Sequence, residues 1–206
     1  MEAVSSQVPW GVRCMLICCV RTGHKYGPEY VTRLRDGVSR NLDAPHQFVC
    51  LCDKPIDGVE CEPLQSGLTG WWSKLELFRL ARPLVYFDLD VVITGSLAPL
   101  LQWEGGGILK DWWLPGFNSS VMKLTGTEGH VWSDFRPEMI PRLYMGDQQW
   151  ISHKLPNTKT FPPQWFPSWK AGHCEERVPD GALAVVFHGE PRPHQITSGW
   201  VPQRWR

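Results

Sequence analysis

The sequence predicts a single α/β domain with a mostly parallel central sheet flanked by helices, and three observations carry that prediction. The chain opens as strand, loop, helix, strand, the unit that sets two strands parallel. A short helical pattern then leads into LVYFDLDVV (84–92), an apolar run that reads as one buried strand. Polar residues gather where these strands stop: the loop 21–27, Asp53, and the pair Asp88 and Asp90. Ligands of open α/β sheets sit beyond the carboxyl ends of the strands, so three strand ends are expected to face one crevice.

Taken in order, residues 13–20 are a short β-type run, followed by the loop RTGHKYG. In PEYVTRLRDGVSRNL, Pro28 suits a first helical turn, and Val31, Leu34, Val38 and Leu42 recur at helical spacing. HQFVCLC (46–52) is a second buried strand that ends at Asp53. After a loop to Gly70, WWSKLELFRLAR reads as a short amphipathic helix. GGGILKDWWLPGFNSSVMKL holds two short β-like runs, and GDQQWISHKL a helix with Asp147 positioned as its cap. FPPQWFPSW (161–169) is too rich in Pro and Trp for regular structure, and ALAVVFHGEPRP closes with a strand ending at His188.

Composition excludes some partners. Lys plus Arg and Asp plus Glu balance at 21 each in 206 residues, so no global field draws the chain to nucleic acid or an anionic membrane. A local patch would have to serve, with Lys170, Arg177, Arg192, Arg204 and Arg206 as its candidates. The apolar stretch Cys14–Val20 is short for a signal sequence or a membrane span, and a cytoplasmic location in a bacterium or a phage-infected host is expected. Of seven cysteines, Cys14, Cys18, Cys19, Cys50 and Cys52 fall in strand-like runs and none has zinc-type spacing, so they read as small buried hydrophobes. Twelve tryptophans are harder to assign to a core alone. Trp71, Trp72, Trp112, Trp113, Trp165 and Trp169 fall in loop-like or capping segments where a sugar or base could stack.

The Asp-x-Asp carries the chemistry. Residues i and i+2 of a strand project from the same face, and buried acids of like sign need a cation, which can in turn grip a diphosphate.

FDLDVV, FNSSVM, YMGDQQW and FHGEPRP, in that order and extending to about Pro193, resemble the GT-A glycosyltransferases, and most closely glycosyltransferase family 8, the glycogenin and lipopolysaccharide galactosyltransferase group. The resemblance implies a Rossmann-like GT-A fold with a nucleotide-binding half at about 12–95 and an acceptor half at about 96–206. It implies transfer of a sugar from a nucleotide-diphosphate sugar, with UDP as the expected nucleotide, under retention of configuration. Asp88, Asp90 and His188 resemble the ligands of a Mn2+ or Mg2+ ion, and Asp88 the acid near the ribose. Gly189 and Arg192 resemble the phosphate clamp, Lys74 the basic residue that touches phosphate and sugar, and Thr22 and Asp53 the nucleoside contacts. Asn118, Asp147 and Gln148 resemble the residues flanking the donor sugar and the reacting carbon.

The chain departs from that pattern in two ways: His188 and Gly189 are adjacent, where the family separates them, and the clamp cation is Arg192 rather than lysine. A glycan is the expected acceptor, and a hydroxymethylated pyrimidine in DNA, as for small phage-type transferases, is the other. FDLDVVIT also resembles the first motif of haloacid-dehalogenase phosphatases, although GDQQWIS lacks the acid that comes after Gly-Asp there. A non-catalytic sugar-binding protein would use the tryptophans and leave Asp88, Asp90 and His188 without a role.

Overall fold

The computed structural model describes residues 14–206; Arg13, where the first strand is expected to begin, lies outside them. Strand β1 (Met15–Arg21) leads through the loop to helix α1 (Pro28–Asn41), then β2 (His46–Cys52) and β3 (Glu60–Pro63). A run of 3₁₀ turns over Gly70–Leu80 precedes β4 (Leu84–Phe87), β5 (Val91–Ile93) and the short α2 (Ala98–Gln102). The hairpin of β6 (Gly107–Lys110) and β7 (Phe117–Leu124) comes next, then α3 (His130–Ser133), α4 (Asp147–Lys154) and β8 (Ala184–Val186). The main sheet has the order β3-β2-β1-β4-β7-β6; β5 and β8 form a separate two-stranded sheet. Strands β3, β2, β1 and β4 are mutually parallel, and β7 joins β4 antiparallel.

The two-residue period of β1 divides the core. Ile17 and Cys19 face one apolar layer with Val31, Leu34 and Val38 of α1 and the small sheet. Leu16, Cys18 and Val20 face the other, which holds Leu75, Leu77 and Phe78 of the 3₁₀ run and Trp150 and Ile151 of α4. The helical reading of α1 holds: Pro28 occupies the first turn, and Val31, Leu34, Val38 and Leu42 are all buried. The cysteines are free; Cys18, Cys19, Cys50 and Cys52 are buried, while Cys14 precedes β1 and is exposed.

Four local expectations need correction. LVYFDLDVV is not one strand. Its chain leaves the main sheet after Phe87, turns with Val91 N–H donating to Asp88 O (3.2 Å), and enters the small sheet as β5. Strand alternation therefore does not orient Asp88 and Asp90; a tight turn at the seam of two sheets does. WWSKLELFRLAR is not an amphipathic α-helix but a chain of 3₁₀ turns, ended by Ala81 in the left-handed region (φ 47°). Six consecutive residues in its middle, Ser73–Phe78, are buried whichever way they point, so that stretch has no solvent face to encode. Asp147 is the first residue inside α4, after Gly146 (φ 71°), and makes no cap hydrogen bond. The closing strand stops at Val186, two residues before His188.

Candidate active site

Parallel β1, β2 and β4 end on one side, and the chain's two directions of winding meet between β1 and β4, the position where open α/β sheets form a ligand crevice. At the end of β2, Asp53 accepts a hydrogen bond from Gly23 N–H (2.7 Å) and lies 3.9 Å from the Arg21 guanidinium, so it tethers the loop containing Thr22. At the end of β4 the two acids separate into different surroundings.

Asp88 belongs to a buried knot. Lys74 Nζ lies 2.9 Å from Asp88 Oδ1, 3.4 Å from Asp147 Oδ2, and donates to Ser119 Oγ at 2.9 Å. Ser119 Oγ–H donates to Asp147 Oδ2 (2.6 Å), and the Tyr86 hydroxyl donates to Asp88 Oδ1 (2.5 Å). One buried ammonium thus stands between two carboxylates. Burial works against the Lys74 charge, but Asp147 and Asp88 outweigh it and hold its pKa above the ordinary lysine value. Burial raises the Asp147 carboxyl, with Lys74 and Ser119 pulling the other way. Gln148 turns towards the β7 end, its Oε1 3.5 Å from Asn118 Nδ2.

Asp90 is 7% exposed, and among the described residues no lysine or arginine makes a salt bridge with it, Lys25 acting only through its charge at longer range; its Oδ2 accepts the Tyr26 hydroxyl at 2.6 Å. Burial, followed by the charge of Asp88, pushes its pKa up to about 7. Tyr26 is itself raised, by burial and then by Asp90, so it remains a proton donor. Arg192 lies over the Tyr26 ring (5.4 Å) and reaches Lys25 O (3.4 Å). Its buried Nε is 3.3 Å from a Glu190 carboxylate oxygen yet lacks hydrogen-bond geometry.

His188 comes directly after Phe187, whose N–H donates to Asp90 O (3.2 Å), so the ring is anchored beside the same turn. Its Nε2 is 2.7 Å from Ser168 Oγ, it stacks on Trp112 (5.2 Å, 14°), and it meets Trp113 edge-on (4.7 Å). Burial, then Lys170, lower its pKa, which keeps the imidazole neutral as a ligand requires. Gly189 (φ 73°) has an open surround in which only Lys170 Nζ would come near an added Cβ, at 3.4 Å.

A divalent cation fits the acid pair. Asp88 commits Oδ1 to protein donors and Asp90 commits Oδ2, which leaves the second oxygen of each available, and the buried Asp90 charge has no salt-bridge partner among the described residues. Among the described residues no group of three His, Cys, Asp or Glu side chains is placed to hold one metal ion, and His188 Nε2 is engaged with Ser168 Oγ. Tyr26, Tyr86, Ser119 and Ser168 escaped the sequence reading, and Lys170 was read only as part of a basic patch; Tyr86 had a signal, an aromatic hydroxyl on the strand that runs into the acid pair. The singled-out tryptophans divide: Trp169 is core, stacked on Phe187, and Trp72 stacks on Phe135, whereas Trp71 and Trp113 are exposed.

No protein-family model matches the sequence, nor does any curated protein. Solved structures do. The galactosyltransferase LgtC, in complex with donor and acceptor sugar analogs, superposes with a TM-score of 0.64 at 12% identity over 87% of this chain and 89% of its own. The glycosyltransferase GlyE of Streptococcus pneumoniae TIGR4 gives 0.68 at 12% identity over 93% of this chain, which spans 59% of GlyE. A glycosyltransferase involved in glycosylation of the major capsid of PBCV-1 gives 0.59 at 15% identity over 89% of this chain and 97% of its own. The likeness is one of fold: the chain has the GT-A glycosyltransferase fold, with its mostly parallel central sheet.

Proposed function

We propose that the protein is a metal-dependent glycosyltransferase that moves a sugar, with retention, from a UDP-sugar to an acceptor hydroxyl on a glycan or a hydroxymethylated pyrimidine. The observation that carries this reading is the Asp88–Asp90 turn at the mouth of a GT-A crevice, with one acid paired with Lys74 and the other without a salt-bridge partner among the described residues. Asp88 and Asp90 would hold Mn2+ or Mg2+, and His188 would join them by leaving Ser168. The bound ion supplies positive charge against the departing diphosphate.

The chain's own groups support the remaining steps. Arg192, with its unsatisfied Nε, grips phosphate, and Gly189 lets the backbone approach it. Thr22 and Asp53, on the tethered β1 loop, hold the nucleoside. Asn118 and Gln148 face the sugar, while Lys74 stabilises charge that develops beside Asp88. Asp147, tied to Lys74 and Ser119, is poorly disposed to act as a covalent nucleophile and instead fixes the lysine. This favours attack on the face from which the diphosphate leaves. Residues 12–95 would bind the nucleotide and 96–206 the sugar and acceptor, in the cytoplasm.

The test is UDP release from a panel of UDP-sugars, with Mn2+ titrated in and then chelated, beside a phosphatase assay. Mn2+-dependent release that Asp90→Asn abolishes is the expected result. Full activity in excess chelator, or phosphate release from simple phosphomonoesters, would overturn it.

A further inference from the structure

Glycosyl transfer from a nucleotide sugar, the reading on which this inference rests, leaves the acceptor open. Among the described residues four large apolar side chains are exposed: Trp71 and Trp113 at 59%, Leu114 at 49% and Tyr144 at 91%. All four lie on segments that adjoin candidate site residues. Trp71 lies against Gly146, where an added Cβ would sit 2.8 Å from the indole Nε1, and Asp147 and Gln148 come immediately after that glycine. Tyr144 is two residues upstream of it. Trp113 and Leu114 occupy the β6–β7 tip, from which β7 runs directly to Asn118, and the Trp113 ring meets His188.

The tip is built to present its indole. Asp111 Oδ1 accepts hydrogen bonds from Trp113 N–H (2.9 Å) and Leu114 N–H (2.8 Å), and Asp111 N–H closes the loop on Gly116 O (3.2 Å). Opposite, the positive φ of Gly146 (71°) tucks the backbone beneath Trp71. Apolar surface held out by such local structure, on segments that adjoin candidate site residues, marks a binding surface.

We infer that this aromatic rim is the acceptor subsite and that it takes the apolar face of a pyranose ring in a glycan. A flat indole with one polar edge matches a sugar that presents C–H groups on its face and hydroxyls at its rim. Charge separates this ligand from the alternatives. The segments Gly70–Ser73, 111–116 and 144–146 carry one charged side chain between them, the Asp111 carboxylate, which is the wrong sign for a nucleic-acid backbone or an anionic lipid surface.

The test applies full-length protein, without donor, to an array of immobilised oligosaccharides, a duplex containing hydroxymethylcytosine, and phosphatidylglycerol vesicles, and measures UDP affinity with Mn2+ separately. Oligosaccharide binding is expected, with Trp71→Ala and Trp113→Ala each weakening it about tenfold and Trp113→Phe recovering part of the loss. Binding only to the duplex or only to the vesicles overturns the inference, as does oligosaccharide binding that survives both alanines. An equal loss of UDP affinity in these variants would make the effect structural and also overturn it. Oligosaccharide binding without UDP affinity in the unsubstituted protein keeps the rim and removes the transferase reading; UDP affinity without oligosaccharide binding does the reverse.

Discussion

Asp88 and Asp90 stand two residues apart and differ in almost everything else. Asp88 shares a buried ammonium with Asp147 and takes a tyrosine hydroxyl, so it is held by a cation inside the protein. Asp90 is more deeply buried, takes only the neutral Tyr26 hydroxyl, and holds its proton up to about pH 7. A buried acid held by a cation becomes costly only when that cation is removed, whereas a buried acid without one costs stability until a ligand arrives. The turn that moves the chain from one sheet to the other places these two conditions side by side.

The comparison breaks most visibly at Lys74. Lys74→Met leaves Asp88 and Asp147 buried without their cation and should cost about 3–5 kcal/mol in chemical denaturation. Adding Asp147→Asn to it should return part of that loss. A loss below about 1 kcal/mol would mean that Lys74 does not hold the two carboxylates as described.

The opposite sign is expected at Asp90. An unfolded aspartate loses its proton near 3.8, whereas Asp90 in the folded protein keeps it to about 7, so the folded state binds the extra proton between those values. Stability of the metal-free protein should therefore fall as pH rises from about 4 to about 7 and level off above that. Asp90→Asn should flatten this slope and raise the metal-free Tm at pH 8 by about 2–4 °C per kcal/mol recovered, while removing stabilisation by Mn2+. A slope in pH-dependent melts that survives the substitution would sink the assignment.

Arg192 should separate phosphate from metal. Arg192→Ala is expected to weaken UDP affinity about tenfold in calorimetry and to leave the Mn2+ requirement in place. The smallest effect concerns His188. If its ring must leave Ser168 to serve the metal, Ser168→Ala should strengthen Mn2+-dependent UDP binding a fewfold and His188→Ala should weaken it. Identical effects of the two substitutions would show that the histidine acts from where it stands.

How far the sequence led is clearest at these same residues. The α/β class, α1 and its buried stripe, and the convergence of loop 21–27, Asp53 and the acid pair were all legible, because each rests on periodicity or on the polar residues that end a strand. The break at Asp88 was not: a turn between two apolar strands has the same composition as a continuous strand. The inward aim of Lys74 and Glu76 was hidden for another reason. Their partners, Asp147 for one and the backbone N–H groups of Gln65 and Ser66 for the other, come from segments that the local pattern does not link to them. The engagement of His188 with Ser168 and Trp112 likewise joins distant loops, so the adjacent His-Gly pair gave no indication of these contacts.

The buried cysteines of β1 and β2 have a practical corollary. Cys18 is held as an inert thiol, its pKa pushed up to about 12 by burial, and Cys19 lies beside it with no exposure, whereas Cys14 stands open to solvent. A thiol-modifying reagent should therefore mark Cys14 at once and reach Cys18 and Cys19 only when the centre of the sheet opens. Their labelling rate is a built-in clock for the excursions of the two strands that carry the β1 loop and Asp53.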